Sequence, residues 1–552
     1  MILNGKGEDR KKMRKGKRIL ALVMAAAFAG LTACGGDTSA PTAAPEKTEP
    51  VMKALENGEV ALVKSEGANP IVGNSDTGEY IYGGDPSVLV DGDTVYLYTG
   101  HDLSTDDEVS RAVYNIPEYL CYSTKDMVNW KPEGTVMKVS TDEVDWVTGS
   151  TTAWASQVVK YKDRYYLYYC SWDRTAEGKQ SIGVAIADSP TGPFKDAGQP
   201  VVQGTVTEPQ NSNWDDIDPT VWVDTDEAGE EHRYLAWGNS KYYVCELNED
   251  MISVKDQDGD GKITAAMTPD PGDILNHQTG LNSFTEAPWI YRRKDKDGKY
   301  YGKYYLFYAY GWRERMAYAT TDDLMKGSWK FGSILMMPTA TSNTNHMAVF
   351  DFKGKTYFVY HNGSLPRGNG YRRSACITEL KFDEKGDISV LPETAAGLNG
   401  TVMRINGPEN KPLSHENYMN SGADTEYPYQ DVPVGIGISS EEEDAEWVFI
   451  KGKADPAKEA YVSIQAENKP GLFLTAEKDG SVTLAQDVDA AKKTAKKQTF
   501  RTVKGLGDEK GVSFESVSQS GLYLAIKDQK LCLTDGSDKK NATFYIERKE
   551  KQ

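Results

Sequence analysis

Short apolar runs separated by polar turns recur along most of the chain. Five segments share one pattern, in which a polar or aromatic residue precedes a short apolar strand, a polar turn follows, and a Tyr-rich strand comes next. The residues that open these segments lie roughly 60 to 70 positions apart, which suits a unit of several short antiparallel strands. No long stretch repeats its apolar residues with the period of a helix. The pattern predicts an all-β protein.

Strand pairs that repeat at this interval are typical of propeller blades. Each blade buries its faces against its neighbours, and closing the ring removes the exposed strand edges. We therefore predict a five-bladed β-propeller over residues 68–395. The alternative is an open β-solenoid, which is disfavoured because no segment suited to capping its two ends is evident.

The residues that open the five segments predict where a functional site lies. In a propeller the first strand of each blade lines the central axis, so residues at the start of these strands converge on one end of that axis. Three carboxyl groups packed together raise each other's pKa, which costs stability unless the arrangement has a use. Their common register therefore indicates a functional pocket. The converging residues are Asp85, Trp154, Asp218, Glu286 and His346.

The sequence resembles glycoside hydrolase family 43, whose members are five-bladed propellers that act on polysaccharides containing arabinose and xylose. The motifs Asp85-Pro, Asp218-Pro and Glu286-Ala-Pro stand in the family's order and strand context. The resemblance implies that Asp85 is the general base and that Glu286 is the general acid. It also implies that Asp218 orients this acid and tunes its pKa.

The same resemblance implies roles for three more positions. Trp154 matches the family's blade-two Trp, whose ring lines the sugar pocket. Arg373 matches an Arg that lines the pocket, with Arg372 as the alternative register. His346 matches the axial His of the fifth blade, which in many members holds a metal ion, often calcium, through water. No organic cofactor is expected.

Cleaving a glycoside requires a proton for the leaving oxygen and an activated water on the opposite face of the sugar. Two carboxyl groups ~6.5–9.5 Å apart leave room for that water, and the product then has inverted anomeric configuration. The resemblance implies an inverting hydrolase that releases arabinofuranose from arabinoxylan- or arabinan-type plant polysaccharides. The alternatives are a β-xylosidase of the same mechanism and a non-catalytic glycan-binding surface lipoprotein, which would have no need of all three acids.

A second pattern begins where the blade pattern stops. The run from Val462 to Gly471 is echoed by the run from Val512 to Gly521, roughly 50 residues later. An earlier, degenerate copy that Trp447-Val-Phe-Ile would close brings the number of units to three. Three units of roughly this length predict a β-trefoil-like accessory domain over residues 396–552.

This second pattern resembles the arabinofuranose-binding domain that is attached to some arabinofuranosidases. Members usually carry a His soon after a Tyr-Leu pair, whereas Thr475 and Ala525 stand there in this chain. Sugar binding and a mainly structural role are therefore both open for this domain.

The chain opens with a basic cluster and a short apolar run. The run, residues 19–31, is too short to span a bilayer comfortably, and it ends in Leu31-Thr-Ala-Cys34, which matches the bacterial lipobox. We expect a lipoprotein signal over residues 1–34 and a flexible tether over residues 35–67. Lipid on the Cys34 sulfur would then hold the protein at the cell surface, on the outer face of a bacterial membrane. An ordinary secretory signal is the alternative.

Charge and composition limit the classes of molecule that we expect the protein to bind. The formal net charge is −19, and such a surface repels nucleic acid and anionic lipid, so we expect no nucleic-acid partner and membrane contact through the lipid only. The chain has 32 Tyr and 11 Trp against 14 Phe, which suits sheet surfaces and sugar clefts. The expected partner is a plant cell-wall polysaccharide or oligosaccharide. The number and spacing of the cysteines indicate neither a zinc site nor a disulfide framework.

One acidic turn resembles the first half of an EF-hand calcium loop. Asp256, Asp258 and Asp260 fall at the first, third and fifth loop positions, but Met267 stands where the loop needs a bidentate Glu. A solvated acidic turn and a weak calcium site are both open.

Three further histidines lie in loops near predicted strand ends. They are His101, His277 and His361. Because of this position, we expect each to be a surface or rim residue rather than a ligand.

Overall fold

The structure, a computed structural model, covers the chain from residue 50 onward with short gaps. The residues that it does not describe are 1–49, 75–78, 208, 210, 227, 263–269, 271, 340–341, 417–430, 489–492 and 550–552. The predicted signal segment, Cys34 and the first part of the tether therefore lie outside the described residues. Within the described part, no helix is both long and apolar enough to cross a membrane.

Two short antiparallel strands open the described chain, β1 (Met52–Ala54) and β2 (Val60–Leu62). The first and last residues of β2 are buried in the core of the C-terminal domain. The prediction of a tether over residues 35–67 is therefore wrong for residues 50–62. These residues fold because apolar side chains gain more from burial than from remaining solvated.

Five antiparallel sheets follow, each built from strands that are consecutive in the chain. The first four sheets have four strands each and the fifth has three. Blade one contains β3 (Ser87–Asp91), β4 (Thr94–Gly100), β5 (Glu118–Thr124) and β6 (Lys131–Lys138). Blade two contains β7 (Gln157–Tyr161), β8 (Arg164–Trp172), β9 (Gln180–Ala187) and β10 (Lys195–Asp196). Blade three contains β11 (Thr220–Thr225), β12 (Glu231–Trp237), β13 (Tyr243–Glu246) and β14 (Leu275–Asn276). Blade four contains β15 (Phe284–Lys294), β16 (Tyr300–Tyr310), β17 (Arg315–Thr321) and β18 (Lys330–Met336), and blade five contains β19 (Met347–Phe352), β20 (Lys355–Asn362) and β21 (Ser374–Leu380).

The first strands of the five sheets form a closed ring. Strand β3 contacts β7, and the contacts continue through β11, β15 and β19 back to β3. The segment before blade one runs beside β21, where the Ile71 N–H donates to the Ala375 carbonyl (2.9 Å). The predicted five-bladed propeller is confirmed. The open solenoid is wrong because the last blade meets the first.

The Tyr-rich strands show why the blades pack in this way. Side chains alternate between the two faces of a strand. Along β8, Tyr165 and Tyr169 pack in the core shared with blade one, while Tyr166 and Tyr168 pack in the core shared with blade three. Both faces are buried, so these strands appear in the sequence as nearly continuous apolar and aromatic runs.

The described residues of the C-terminal domain form twelve strands in one sheet system. Six of them, β22, β25, β26, β29, β30 and β33, pair around a closed barrel, and the three hairpins β23–β24, β27–β28 and β31–β32 pair with one another. This arrangement is a β-trefoil, as predicted. The strands are β22 (Val402–Asn406), β23 (Leu413–His415), β24 (Val432–Ile436), β25 (Glu446–Lys451), β26 (Tyr461–Ala466), β27 (Leu472–Ala476), β28 (Val482–Gln486), β29 (Phe500–Lys504), β30 (Val512–Ser516), β31 (Tyr523–Lys527), β32 (Lys530–Thr534) and β33 (Tyr545–Arg548).

Helical structure is scarce in the described part. Among the residues that the structure describes, α-helices occur at α1 (Asp106–Ser110) and α2 (Lys493–Lys497), and short 3₁₀ turns occur at Glu56–Gly58, Pro408–Asn410 and Glu442–Ala445. The propeller and the trefoil together form one compact unit.

Candidate active site

Three acidic side chains meet at one end of the propeller axis. Asp85 and Asp218 each lie two residues before the inner strand of their blade, and Glu286 lies near the start of β15. Asp85 and Asp218 are buried, and Glu286 is half-buried. Their charges are close enough to raise one another's pKa. The structure therefore brings together the three acids that the repeat register aligned.

The two Asp-Pro motifs share one unusual backbone conformation. Asp85 has a φ of 51° and Asp218 a φ of 59°. Both values lie in the left-handed region, which is uncommon for residues other than glycine and is often found at functional sites. The shared turn makes the two motifs structurally equivalent in blades one and three.

Asp85 is held by a buried cation. Its Oδ1 lies 2.6 Å from Arg373 Nη1. Asp102 binds the other edge of the same guanidinium through two hydrogen bonds of 2.9 Å. Burial raises the pKa of the Asp85 carboxyl, and the positive charge of Arg373 opposes that rise. The arrangement favours an ionised Asp85 more than burial alone would.

Asp218 connects to the peptide beside Glu286. Its Oδ2 accepts a hydrogen bond from the N–H of Ala287 (3.0 Å). Burial, followed by the negative charge of Asp85, raises the pKa of Asp218 to about 8. Asp218 can therefore set both the position of Glu286 and the electric field around it.

Glu286 is surrounded by groups that favour its protonated form. Burial raises its pKa well above the ordinary value, and the negative charges of Asp218, Glu314 and Asp85 add to that rise. The amide of Asn239 donates to Glu286 Oε2 (2.6 Å) and works in the opposite direction. A carboxylic acid that stays protonated near neutral pH can donate a proton to a leaving group.

Two of these neighbours could not be found from the repeats. Asn239 follows β12, and Glu314 directly precedes β17, where its carboxylate accepts from the Thr344 N–H (2.8 Å). Antiparallel pairing brings these strand ends to the same end of their blades as the start of the inner strands. Neither residue opens a blade, so the only signal in the sequence was a polar residue beside a strand end.

Trp154 and the two alternative arginines are the remaining candidates for the sugar pocket. Trp154 is half-buried and meets Tyr114 edge-on, with ring centroids 6.4 Å apart. Arg373 lies against Asp85, whereas Arg372 Nη2 pairs with Asp106 (2.6 Å). The structure therefore places Arg373, rather than Arg372, in the carboxyl cluster.

Two histidines lie near this cluster. His346 directly precedes β19 and is 6% exposed; burial and the charge of Arg373 lower its pKa to about 3. His361 is fully buried at the end of β20, where its Nδ1 accepts from the Asp85 N–H (3.1 Å). The expectation that His361 lies at the surface or rim is wrong, because the backbone at Asp85 and the carbonyl of Asn343 contact the two nitrogens of its ring.

The acidic turn forms its own hydrogen bonds. Carboxylate oxygens of Asp256, Asp258 and Asp260 lie within 4.8 Å of one another. Asp256 accepts from the Gly259 N–H (2.7 Å), and Asp258 accepts from the Asp260 N–H (3.0 Å). These bonds account for the turn without an ion. Met267, at the last loop position, lies outside the described residues.

The family model described as Glycosyl hydrolases family 43 matches residues 81–388, more than half of the chain. The chain belongs to glycoside hydrolase family 43. A second model, the Alpha-L-arabinofuranosidase B (ABFB) domain, matches residues 475–551. The resemblances seen in the sequence are confirmed for both domains, and the protein is a family 43 glycosidase.

Individual proteins resemble this family 43 chain over the same part. A xylosidase/arabinosidase of Bacteroides ovatus is 28% identical over 343 residues, which are 56% of this chain and 94% of the relative. An arabinoxylan arabinofuranohydrolase of Bacillus subtilis is 26% identical over 375 residues, 60% of this chain and 65% of the relative. The solved structure of an α-L-arabinofuranosidase from Clostridium thermocellum is 29% identical, with a TM-score of 0.42, and the match covers 56% of this chain and 92% of that chain.

Glu314 and Asn239 both lie beside Glu286. Substituting them should shift the pH dependence of kcat/KM of this family 43 enzyme in opposite directions. If Glu286 must be protonated, the alkaline limb of kcat/KM reports its pKa. Glu314→Gln removes a negative charge, which lowers that pKa, so the limb should move to lower pH. Asn239→Ala removes a donor to the carboxylate, which raises the pKa, so the limb should move to higher pH. Steady-state pH profiles test both, and limbs that move together or stay in place would contradict the assignment.

Proposed function

We propose that this enzyme is an inverting, exo-acting α-L-arabinofuranosidase on arabinoxylan- or arabinan-type polysaccharides. The observation that carries the proposal is the contrast between two acids in one pocket. Burial raises the pKa of both acids, but the positive charge of Arg373 opposes that rise at Asp85, whereas neighbouring carboxyl groups add to it at Glu286. Inverting hydrolysis needs such a pair.

Each residue then has one task in a single displacement. Glu286 donates its proton to the glycosidic oxygen, and the bond from the anomeric carbon to that oxygen breaks. Asp85 accepts a proton from water as the water oxygen bonds to the opposite face of the anomeric carbon. Asp218 positions Glu286 through the Ala287 N–H, and the ring of Trp154 lines the sugar pocket.

The choice of sugar rests on the comparisons. The ABFB-type domain and the name of the Bacillus subtilis relative support arabinofuranose as the released sugar. The name of the Bacteroides ovatus relative covers both xylosidase and arabinosidase activity, so a β-xylosidase is the second candidate.

Hydrolysis of two aryl glycosides by the purified protein separates these candidates. We expect a higher kcat/KM on nitrophenyl α-L-arabinofuranoside than on nitrophenyl β-D-xyloside. The opposite ranking would favour the xylosidase. Hydrolysis of neither compound, nor of arabinoxylan or arabinan, would leave only a glycan-binding role.

Calcium on the propeller axis is part of this proposal. His346 is buried and neutral at neutral pH, which is the form that binds metals. In the described part of the chain, His346 does not join two other His, Cys, Asp or Glu groups at metal-ligand spacing. An ion at this position would therefore be held by His346 through water, whose oxygen is a ligand that calcium takes. A bound calcium ion would supply positive charge near the carboxyl cluster.

Removing calcium should lower activity while leaving the fold mostly intact. The propeller is held by blade packing, so we expect little change in circular dichroism or melting temperature after dialysis against a chelator. Activity should fall and return when calcium is added back. Elemental analysis that finds no metal, with activity indifferent to the chelator, would contradict this expectation.

The proposed cell-surface location depends on Cys34. Lipid on its sulfur would be the anchor, so Cys34→Ala should move the protein from the membrane fraction to the soluble fraction of expressing bacteria. Fractionation followed by detergent phase partition measures this. The lipid-anchor assignment is wrong if the variant still enters the detergent phase completely.

A further inference from the structure

One loop links the C-terminal domain to the carboxyl cluster. This blade-five loop, residues 363–373, joins β20 to β21. At its end, the Arg373 N–H donates to Asp102 Oδ2 (2.8 Å), and Arg373 Nη1 pairs with Asp85 Oδ1 (2.6 Å). The position of the loop therefore sets the position of Arg373 beside Asp85.

The opposite side of the blade-five loop is bound to the trefoil. Gln486, the last residue of β28, donates its side-chain amide to the carbonyls of Gly363 (3.2 Å) and Gly368 (2.8 Å). The carbonyl of Asp487 accepts from the Arg367 N–H (2.6 Å). Gln486 is 2% exposed, and hydrogen bonds that are shielded from water hold their geometry well.

The trefoil surface that makes these contacts is itself held firmly. Asp487 pairs with Lys453 Nζ (2.8 Å), and both side chains are buried. The Lys453 ammonium also lies 4.5 Å from the centre of the Phe473 ring. Nearby, Glu467 accepts from the Ala396 N–H (2.8 Å), which fixes the chain that leaves blade five. The trefoil is thus a rigid support for the loop.

The third repeat of the trefoil lacks this contact. In the second repeat, Gly471 has a φ of 86° and donates its N–H to Gln465 Oε1 (3.0 Å). In the third repeat, Gly521 has a φ of 82° and donates to Glu515 Oε1 (2.8 Å). A Cβ at Gly471 would lie 2.9 Å from Ser364 Cα, whereas a Cβ at Gly521 would meet open space. The glycine turn of the second repeat therefore contacts the propeller, whereas the equivalent turn of the third repeat faces open space.

We propose that the C-terminal domain positions the catalytic centre. Gln486 and the turn at Gly471 hold the blade-five loop, and through the loop they hold Arg373 against Asp85. Gln486 is a positioning residue, since its side-chain amide acts on Arg373 through the loop carbonyls that it binds. This inference rests on the role proposed above for Asp85. Full activity then requires the trefoil, even on small substrates that the trefoil does not bind.

The first test removes the hydrogen bonds from the Gln486 side chain to the blade-five loop. Gln486→Ala in the full chain should lower kcat on nitrophenyl arabinofuranoside by about tenfold to a hundredfold, because small displacements of catalytic groups are costly. KM should change less than kcat. The matched control is Asp535→Ala, since Asp535 follows β32 at the place in the third repeat that Gln486 occupies in the second. The control should keep wild-type kinetics.

The second test adds a methyl group against the blade-five loop instead of removing the hydrogen bonds to it. Gly471→Ala and Gly521→Ala introduce the same backbone strain, because both glycines have nearly the same positive φ. Only the Gly471 variant places a methyl group against Ser364. Gly471→Ala should lose activity and Gly521→Ala should not, so the difference between them isolates the contact with the propeller.

Two readouts separate positioning from general instability. If Arg373 moves away, the pKa of Asp85 rises, so the acidic limb of kcat/KM should move to higher pH in Gln486→Ala. The groups that face Asp85 are Arg373, His361, Asp218, Glu286, Tyr114, Tyr119 and Cys170. Hydrogen exchange of residues 363–373 should also become faster in this variant while the inner strands keep their protection.

The outcomes distinguish this inference from the proposed function. Wild-type kcat and exchange in folded Gln486→Ala and Gly471→Ala would overturn the inference, as would equal losses in the two control variants. Failure of the wild type to hydrolyse either aryl glycoside would overturn the proposed function. The exchange measurement would then still decide whether the trefoil holds the loop.

Discussion

Glu286→Gln should reduce hydrolysis of arabinoxylan or arabino-oligosaccharides by about 10²- to 10⁴-fold, the usual contribution of a general acid. A sugar leaving group departs poorly without a proton, and the amide has no proton of suitable acidity to give. On an aryl arabinofuranoside with an acidic phenol the loss should be much smaller, about tenfold, because that phenolate departs without help. The ratio of the two losses, measured as kcat/KM, identifies the acid.

Glu384→Gln is the matched control for this experiment. It makes the same chemical change at an exposed position on the propeller, in a turn away from the carboxyl cluster. It should keep wild-type rates on both substrates. Equal losses on natural and aryl substrates in Glu286→Gln would contradict the role of Glu286 as the acid.

Asp85→Asn should lose about 10²- to 10⁴-fold on both kinds of substrate, because water must be activated whatever group leaves. The fold should survive, since Asp102 continues to pair with the Arg373 guanidinium when the Asp85 charge is gone. Normal melting temperature with uniformly lost activity is the expected result. A variant that fails only on natural substrates would instead indicate a role in leaving-group departure.

Asp93→Asn is the control within the same blade. Asp93 lies in the turn between β3 and β4, at the other end of the inner strand from Asp85, and pairs only with exposed Lys125 among cations (3.0 Å) in the described part. It should retain full activity. Proton NMR of the wild-type reaction in its first minutes should show the inverted anomer, and a retained anomer would contradict Asp85 as a base.

Much of the fold is predictable because a propeller repeats. The pattern that opens each blade occurs five times, so residues in register must meet at one end of the axis once the ring closes. Repeat register alone is enough to align Asp85, Asp218 and Glu286 in this way. The trefoil is predictable for the same reason, since Gly471 and Gly521 mark the same turn in successive repeats.

The partners of these residues were not predictable, because they do not repeat. Asp102, Asn239, Glu314 and His361 come from strand ends that differ from blade to blade. Each contacts the cluster through pairing and packing between segments far apart in the chain. The expected surface position of His361 was wrong for this reason, since burial depends on what covers a loop.

Side-chain alternation and repeat register are local properties of the chain, so the order of the amino acids is enough to predict the number of blades, the location of the carboxyl pocket and its three aligned acids. The ion pair of Asp85 with Arg373 and the raised pKa of Glu286 depend on burial and on charges brought close in space, so they follow only from the packed fold. The same holds for the folding of residues 50–62 onto the trefoil and for the contact of Gln486 with the blade-five loop. Such contacts depend on how two complete domains pack, and no periodic pattern in the chain encodes them.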